Sequence, residues 1–217
     1  MTKKRFGRDV TLRVSGPMAC FTRPEYQSER VSYPIITPPA AVGLLSAVFW
    51  KPQFDWRIRK LELLAEPKWA SMVRNEVKEH ASIGRDHIDV TKTGSGNVGR
   101  AQRHSLVLVD VAYRITARVE LRPHCDDDPA KFSDQFARRV RRGAFFTPPY
   151  LGLREFPAWF ETADPAEAPV DTTMPVGPMP LDLNYQADGS IQPVFFDAVI
   201  LNGVVTVPAL TRKMKEA

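Results

Sequence analysis

Residues 14–52, VSGPMACFTRPEYQSERVSYPIITPPAAVGLLSAVFWKP, constrain the fold more than any other stretch, because backbone turn, charge and core are specified together. The stretch opens at the end of a strand, passes through a basic, aromatic loop and ends in an apolar segment closed by Trp50-Lys51-Pro52. Pro38 and Pro39 lack the donors that a first helical turn leaves unused, and the Thr37 side chain can accept from that turn. These features predict a helix over 40–50 that is apolar all round and therefore buried. Pro52 disfavours helical geometry at Lys51, which is expected at the helix exit beside Phe49 and Trp50. A cation there suits the helix dipole, and it is equally free to meet a ligand.

Upstream, Val10, Leu12 and Val14 alternate with polar residues as a half-buried strand does, and Gly16-Pro17 is expected to end it. Phe54, Trp56 and Ile58 form a second strand, with a bulge expected where the alternation changes phase toward Leu61 and Leu63. Residues 66–100 carry Gly84, Gly94, Gly96 and Gly99 with few large apolar side chains and are read as a flexible excursion. The cleanest strand follows, with Val111, Tyr113, Ile115, Ala117, Val119 and Leu121 on one face and Arg114 and Arg118 on the other.

Asp126-Asp127-Asp128-Pro129 supplies a cap and a first-turn proline, and Phe132, Phe136 and Val140 recur at helical spacing up to Gly143. Tyr150 to Pro157 leads through a glycine turn into Trp159 and Phe160, which read as an aromatic strand. The order strand, helix, strand, strand, helix, strand predicts an α+β fold with a ferredoxin-like βαββαβ core over residues 1–161. A Pro-rich acidic linker is expected over 162–178, and an antiparallel β extension, with an Asn202-Gly203 hairpin turn, over 179–217.

Lys and Arg number 30 against 25 Asp and Glu, a formal net charge of +5. The distribution says more than the sum: no Lys or Arg lies between Glu161 and Leu210, so the first three quarters of the chain carry the positive field. No apolar run approaches membrane-spanning length and Met1-Thr2-Lys3-Lys4-Arg5 leads into no signal core, so a cytoplasmic protein with no membrane partner is expected. Cys20 and Cys125 show no zinc spacing and His80, His87, His104 and His124 no ligand pattern; neither a metal nor a cofactor is expected. The phosphate-loop, GxSxG and HExxH signatures are absent.

What remains suits a phosphodiester backbone. Arg23 and Arg30 lie in the aromatic loop, Lys51 follows an aromatic pair, and Lys131 opens a helix that ends in Arg138, Arg139, Arg141 and Arg142. Arginine grips phosphate through two parallel donors, and Tyr or Phe can stack on splayed bases, which favours single-stranded or hairpin RNA. A solvated basic face is the plain alternative, and a DNA-binding module is compatible with the same charge.

The segments GPMACFTRPEYQSERVSYPIITPPAA, FWKP, VRNEV, QRHSLVLVDVAYRI, KFSDQFARRVRRG and PPYLGLREFP resemble, in order, signatures of the CRISPR-associated Cas-five family, Dvulg subtype, of type I-C systems. The match runs from Val10 to about Phe160, with a looser fit in the C-terminal β part. The resemblance implies a ferredoxin-like protein that cuts the CRISPR precursor transcript beside the repeat hairpin. It also implies one that stays on the 5′ handle with the large and backbone subunits of a surveillance complex. Cleavage in the family is metal-independent attack by a 2′-hydroxyl, which needs a base, an acid and a cation on the developing phosphorane. Well-marked members carry Tyr before the Trp-Lys-Pro and a Lys-His pair early in the second helix; here those positions read Phe49 and Lys131-Phe132. Lys131 is thus the expected electrostatic catalyst, while Tyr26, Tyr33, His104 and Tyr150 stay open as proton-transfer groups, since phenylalanine moves no proton. Loss of cutting, leaving a subunit that binds the 5′ handle, is the second reading.

Overall fold

The computed structural model describes residues 5–26, 29–77, 100–185 and 189–210. It is a mixed helix and strand fold, mostly antiparallel, with two helices among the described residues. In chain order the elements are β1 (Phe6–Ala19), β2 (Arg30–Val31), α1 (Pro38–Val48), β3 (Phe54–Leu63), β4 (Lys68–Val77) and β5 (Arg100–Leu121). There follow α2 (Pro129–Arg141), β6 (Trp159–Thr162), β7 (Met174–Tyr185), β8 (Ile191–Ile200) and β9 (Val204–Thr206). The main sheet runs β6-β1-β5-β3-β9, with β2 and β4 added to the first half of β5; β7 and β8 form a separate two-stranded ribbon. No helix among the described residues is long and apolar enough to cross a membrane.

The central strand keeps the alternation its sequence shows: Val111, Tyr113, Ile115, Ala117, Val119 and Leu121 are all buried. The bulge in β3 falls between Ile58 and Lys60, where the register against β5 shifts. β1 continues through Gly16-Pro17 to Ala19, contrary to the expected stop. The reason lies across the chain: a Cβ on Gly16 would come within 2.7 Å of the Pro157 carbonyl, so the glycine admits a neighbouring backbone rather than making a turn.

Two other local expectations are corrected. The Thr37 side chain makes no cap bond; its carbonyl accepts from Ala41 N at 2.9 Å, and the two prolines leave few donors for a side chain to satisfy. Lys68–Val77, placed in a flexible excursion, is strand β4, paired residue for residue with 100–109 of β5; residues 78–99 lie outside the described residues. By contrast, the aromatic strand lies where the sequence places it. Residues 150–158 form turns, in which Gly152 adopts φ +84° against the Cys20 carbonyl, and the strand itself begins at Trp159.

α2 starts and stops where the sequence says. Asp128 accepts from Ala130 N at 2.9 Å, Pro129 is the first helical residue, and Gly143 follows the C-cap at φ +61°. Phe132 packs on Phe54 (ring centroids 5.2 Å) and Phe136 on Trp56 (4.9 Å), so α2 covers the sheet face that carries the alternate residues Phe54 and Trp56. α1 packs against β3 and β7. One continuous core joins β1, β3, β5 and both helices to Val176, Met179, Ile200 and Val205 of the C-terminal strands. Both cysteines are free thiols.

On the other face, residues 163–172 cross the sheet as a strap. Arg114 donates to the Asp164 and Glu167 carbonyls at 2.9 and 2.8 Å, and Arg13 pairs with both Glu161 and Glu167. Val170 N and Gly203 N extend the attachment to Leu63 and Thr172 carbonyls. Glu161 and Glu167 therefore neutralise Arg13, which is why the charge division along the sequence is weaker in three dimensions.

Candidate nucleic-acid interface

The exit of α1 is held by α2 and the loop that follows it. Arg139 donates from Nε to the Val48 carbonyl at 2.8 Å, and the Phe146 and Thr147 amides donate to the Ala47 carbonyl at 2.7 and 3.2 Å. The last carbonyls of a helix lack intrahelical partners, so these three donors complete α1 and lock the two helix ends together. Arg139, counted with its neighbours as a phosphate ligand from the sequence, spends one donor on this structural bond.

Around the joint the surface is basic and aromatic. Lys51 is exposed, and Arg138, Arg141 and Arg142 are exposed at the end of α2; none of the four has a side-chain partner among the described residues. Trp50 is 52% exposed and Phe146 80% exposed, large fractions for rings of this size. The sequence places Trp50 beside Lys51 but in a buried helix over 40–50, whereas α1 ends at Val48 and the ring is exposed; Phe146 is not singled out. Trp50 lay within the WKP segment, but nothing in the sequence signals that Phe146 docks its backbone on Ala47.

At the other end of α2, Lys131 is 61% exposed, pairs with Asp127 one turn earlier at 3.3 Å and lies 5.7 Å from the Phe132 ring. Phe49 and Phe132, which replace the tyrosine and histidine suggested by the resemblance, are both buried against the same ring, Phe54, at 5.6 and 5.2 Å. These two positions converge in space, as partners in one reaction would, yet neither residue can carry a proton.

The remaining candidates scatter. Tyr33 is buried, donates its hydroxyl to the Pro178 carbonyl at 2.7 Å and is pushed up to about 12 by burial and by Glu25. Arg23 stacks over that ring at 4.3 Å and donates to the Val176 carbonyl at 3.2 Å, so it ties the loop to β7. Arg30 pairs with Glu76 of β4 at 3.0 Å, and this hydrogen bond, outweighing burial, holds the Glu76 carboxyl below its usual range. Tyr26 is exposed in its loop, and His104 is exposed on β5 opposite Val73. Tyr150 is 40% exposed and lines a cavity of about 220 Å³ along α1 with Pro39, Leu44 and Ala47. Of the four proton-transfer candidates, it is the one the structure places on the flank of α1, beside the residue to which Phe146 is bonded.

Comparison with known proteins gives this arrangement its class. Residues 9–207 match the family model Cas_Cas5d, described as a CRISPR-associated protein (Cas_Cas5). The chain belongs to the Cas5d family of CRISPR-associated proteins. A Thermus thermophilus relative, named CRISPR pre-crRNA endoribonuclease Cas5d, is 39% identical over 92% of this chain and 91% of its own. A relative of the same name from Mannheimia succiniciproducens is 35% identical over 92% of this chain and 94% of its own. A crystal structure of a CRISPR-associated protein has a similar fold, with a TM-score of 0.67 at 21% identity, covering 94% of this chain and 93% of that one.

Proposed function

We propose that the chain binds the CRISPR repeat hairpin, cuts the precursor transcript beside it and remains on the 5′ handle of the guide within a type I-C surveillance complex. The observation that carries the reading is the set of cations without a side-chain partner among the described residues, Lys51, Arg138, Arg141 and Arg142, gathered with Trp50 and Phe146 at the joint of α1 and α2 in a Cas5d-family chain. The names of both curated relatives support the activity. Strand order β6-β1-β5-β3 with the two intervening helices supports a ferredoxin-like core over 1–161, extended at its C-terminus by the β ribbon.

Each residue then has a task. Arg138, Arg141 and Arg142 take backbone phosphates through paired donors, and Trp50 and Phe146 offer faces for unstacked bases. Arg139 shares in this only through the donors it does not spend on Val48. Arg23 and Arg30, already paired with Val176 and Glu76, shape the loop that flanks the site and reach RNA only by exchanging those partners. In the cleavage step a 2′-oxygen forms a bond to the adjacent phosphorus and gives up its proton. The bond from phosphorus to the 5′-oxygen breaks, and that oxygen gains a proton, leaving a 2′,3′-cyclic phosphate and a 5′-hydroxyl. No metal is needed, because Lys131 neutralises the charge that grows on the phosphorane oxygens. Tyr150 is our choice for one proton transfer. Tyr33 is the poorest, since its proton is held by Pro178 and its pKa lies far above neutrality.

A second reading follows from Phe49 and Phe132: a subunit that holds the 5′ handle and does not cut. Incubation of the protein with 5′-labelled repeat RNA in excess EDTA, beside RNA with a 2′-deoxy at the cut site, separates the two. A discrete product that vanishes with the deoxy substitution is expected; tight binding with no product at all overturns the cutting reading in favour of the second.

A further inference from the structure

The sheet face turned away from α2 is covered at one end only. The strap lies over Arg13 and Arg114, whereas toward the start of β3 and the end of β5 the face opens into a cavity of about 110 Å³. Arg57, Arg59, Arg118, Glu120 and Asp182 line it, together with apolar residues that include Val42 of α1 and Trp56. Arg57 and Arg118 stand directly opposite each other on β3 and β5, a pairing of like charges that costs stability unless something compensates.

The acids present do not compensate for Arg118. Glu120 is taken by Arg57 and by Arg5, the latter at 3.1 Å. Asp182 lies 4.0 Å from Arg57 and accepts from Leu183 N at 3.0 Å. Arg118 instead stacks on the Phe6 ring, 4.1 Å from its centroid, and its Nε–H is buried with no acceptor among the described residues. Buried donors on charged groups are nearly always satisfied, so an orphan of this kind points to an absent acceptor. Arg59 supplies a second cation without a side-chain partner among the described residues, and it is the extra residue of the β3 bulge, a device that re-aims a side chain. A water could satisfy a donor of either arginine but would leave the Arg118 and Arg59 charges that line the cavity unbalanced; an anion does both.

We infer that this cavity is a second phosphate site, in which Arg118 and Arg59 hold a phosphate of a single-stranded nucleic acid at the edge of the sheet beside the start of β3. The choice of nucleic acid rests on the function proposed above; the anion site itself rests on the orphan donor and the uncompensated charges. Phosphate is favoured over a lone carboxylate because a guanidinium donates two parallel bonds to it and a second cation remains available for its further oxygens.

The test uses the full chain and two hairpin-free uridine 12-mers, one with a 5′-phosphate and one with a 5′-hydroxyl, titrated by fluorescence anisotropy at several salt concentrations. Arg118→Gln and Arg59→Gln are each expected to weaken binding about three- to tenfold at physiological salt and to reduce the slope of log K against log salt by about 0.7, the value for one phosphate contact on a single strand. An equal loss on both oligonucleotides assigns the site to a backbone phosphate; a loss confined to the phosphorylated one assigns it to a chain-terminal phosphate. Unchanged affinity and slope on both overturns the inference. Should Arg118→Gln not fold, Arg59→Gln decides alone, since the bulge side chain has no side-chain partner among the described residues to lose. Retained binding and cutting of the repeat hairpin by a variant that shows no loss here would overturn this site and leave the proposed function standing. A parent protein that binds no RNA in either form would overturn both.

Discussion

Arg114→Ala is expected to destabilise the protein by about 3–5 kcal/mol, the cost of leaving one member of a buried ion pair without the other. The Arg114 side chain is 10% exposed and that of Glu62 4% exposed, and two parallel bonds of 2.9 Å join them. The remaining guanidinium donor fastens the strap through two carbonyls, so its loss unties 163–172 as well as stranding Glu62 beside Lys60 alone. Against the ~5–15 kcal/mol that holds a typical domain, this is a large fraction. Urea denaturation checks it, and a loss below about 1 kcal/mol would show that the strap is incidental to stability. The same pair gives a pH dependence. Burial pushes the Glu62 carboxyl up, but hydrogen bonds from Arg114 and Lys60 outweigh it and hold the group below its usual range. A folded pKa below the unfolded one means that the contribution is complete above the ordinary glutamate value of about 4.3 and is lost as pH falls through the folded value. The urea midpoint should therefore change little from this source between pH 5 and 7 and fall below about pH 4, less steeply in Glu62→Gln.

Lys131→Ala is expected to slow single-turnover cleavage of repeat RNA by on the order of 10²–10³-fold while changing the dissociation constant by no more than about threefold. The asymmetry has a physical cause. The ground-state phosphodiester carries one negative charge, the phosphorane more, so a single ammonium placed at that centre acts mainly on the transition state. Lys131 is exposed and makes one surface pair, with Asp127 at 3.3 Å, so its removal leaves α2 intact: the helix keeps its Asp128 cap and its Phe132 and Phe136 anchors. Equal single-turnover rates for variant and parent would remove Lys131 from the chemistry. Arg in its place should recover part of the rate, because charge is retained while its position shifts.

What the sequence made legible depended on whether the deciding contact is local. α2 could be placed to within a residue because cap, first-turn proline, apolar period and terminal glycine all lie inside it. The β3 bulge and the Asn202-Gly203 turn, with φ 49° and 75°, were visible for the same reason. β4 was not. Its Lys68, Trp69, Ser71, Val73 and Asn75 are exposed, so it lacks the buried alternation that marks a strand, and it exists because β5 extends beyond the core to pair with it. Gly16-Pro17 likewise carries a turn signature that pairing with β5 overrides.

The site divides along the same line. Residue types led to the expectation of an RNA surface, and Lys131, Lys51, Arg138, Arg141 and Arg142 are all exposed. Which arginines are free is a property of distant partners: Arg23 meets Val176, 153 positions away, and Arg30 meets Glu76, 46 positions away. Phe146 joins the surface through one backbone bond to Ala47 that no spacing rule foretells. Conversely, the convergence of Phe49 and Phe132 on Phe54 shows that the positions flagged as deficient occupy one place in the fold.

The measurement that bears most directly on the account is the salt dependence of repeat-RNA binding by the triple variant Arg138→Gln, Arg141→Gln, Arg142→Gln. These three side chains have no partners among the described residues, so the variant should melt with the parent. If they hold phosphates, the slope of log K against log salt becomes shallower by about 2–3 and affinity at physiological salt falls on the order of a hundredfold. An unchanged slope and affinity, in a variant that melts with the parent, would place the RNA on some other surface and contradict the account.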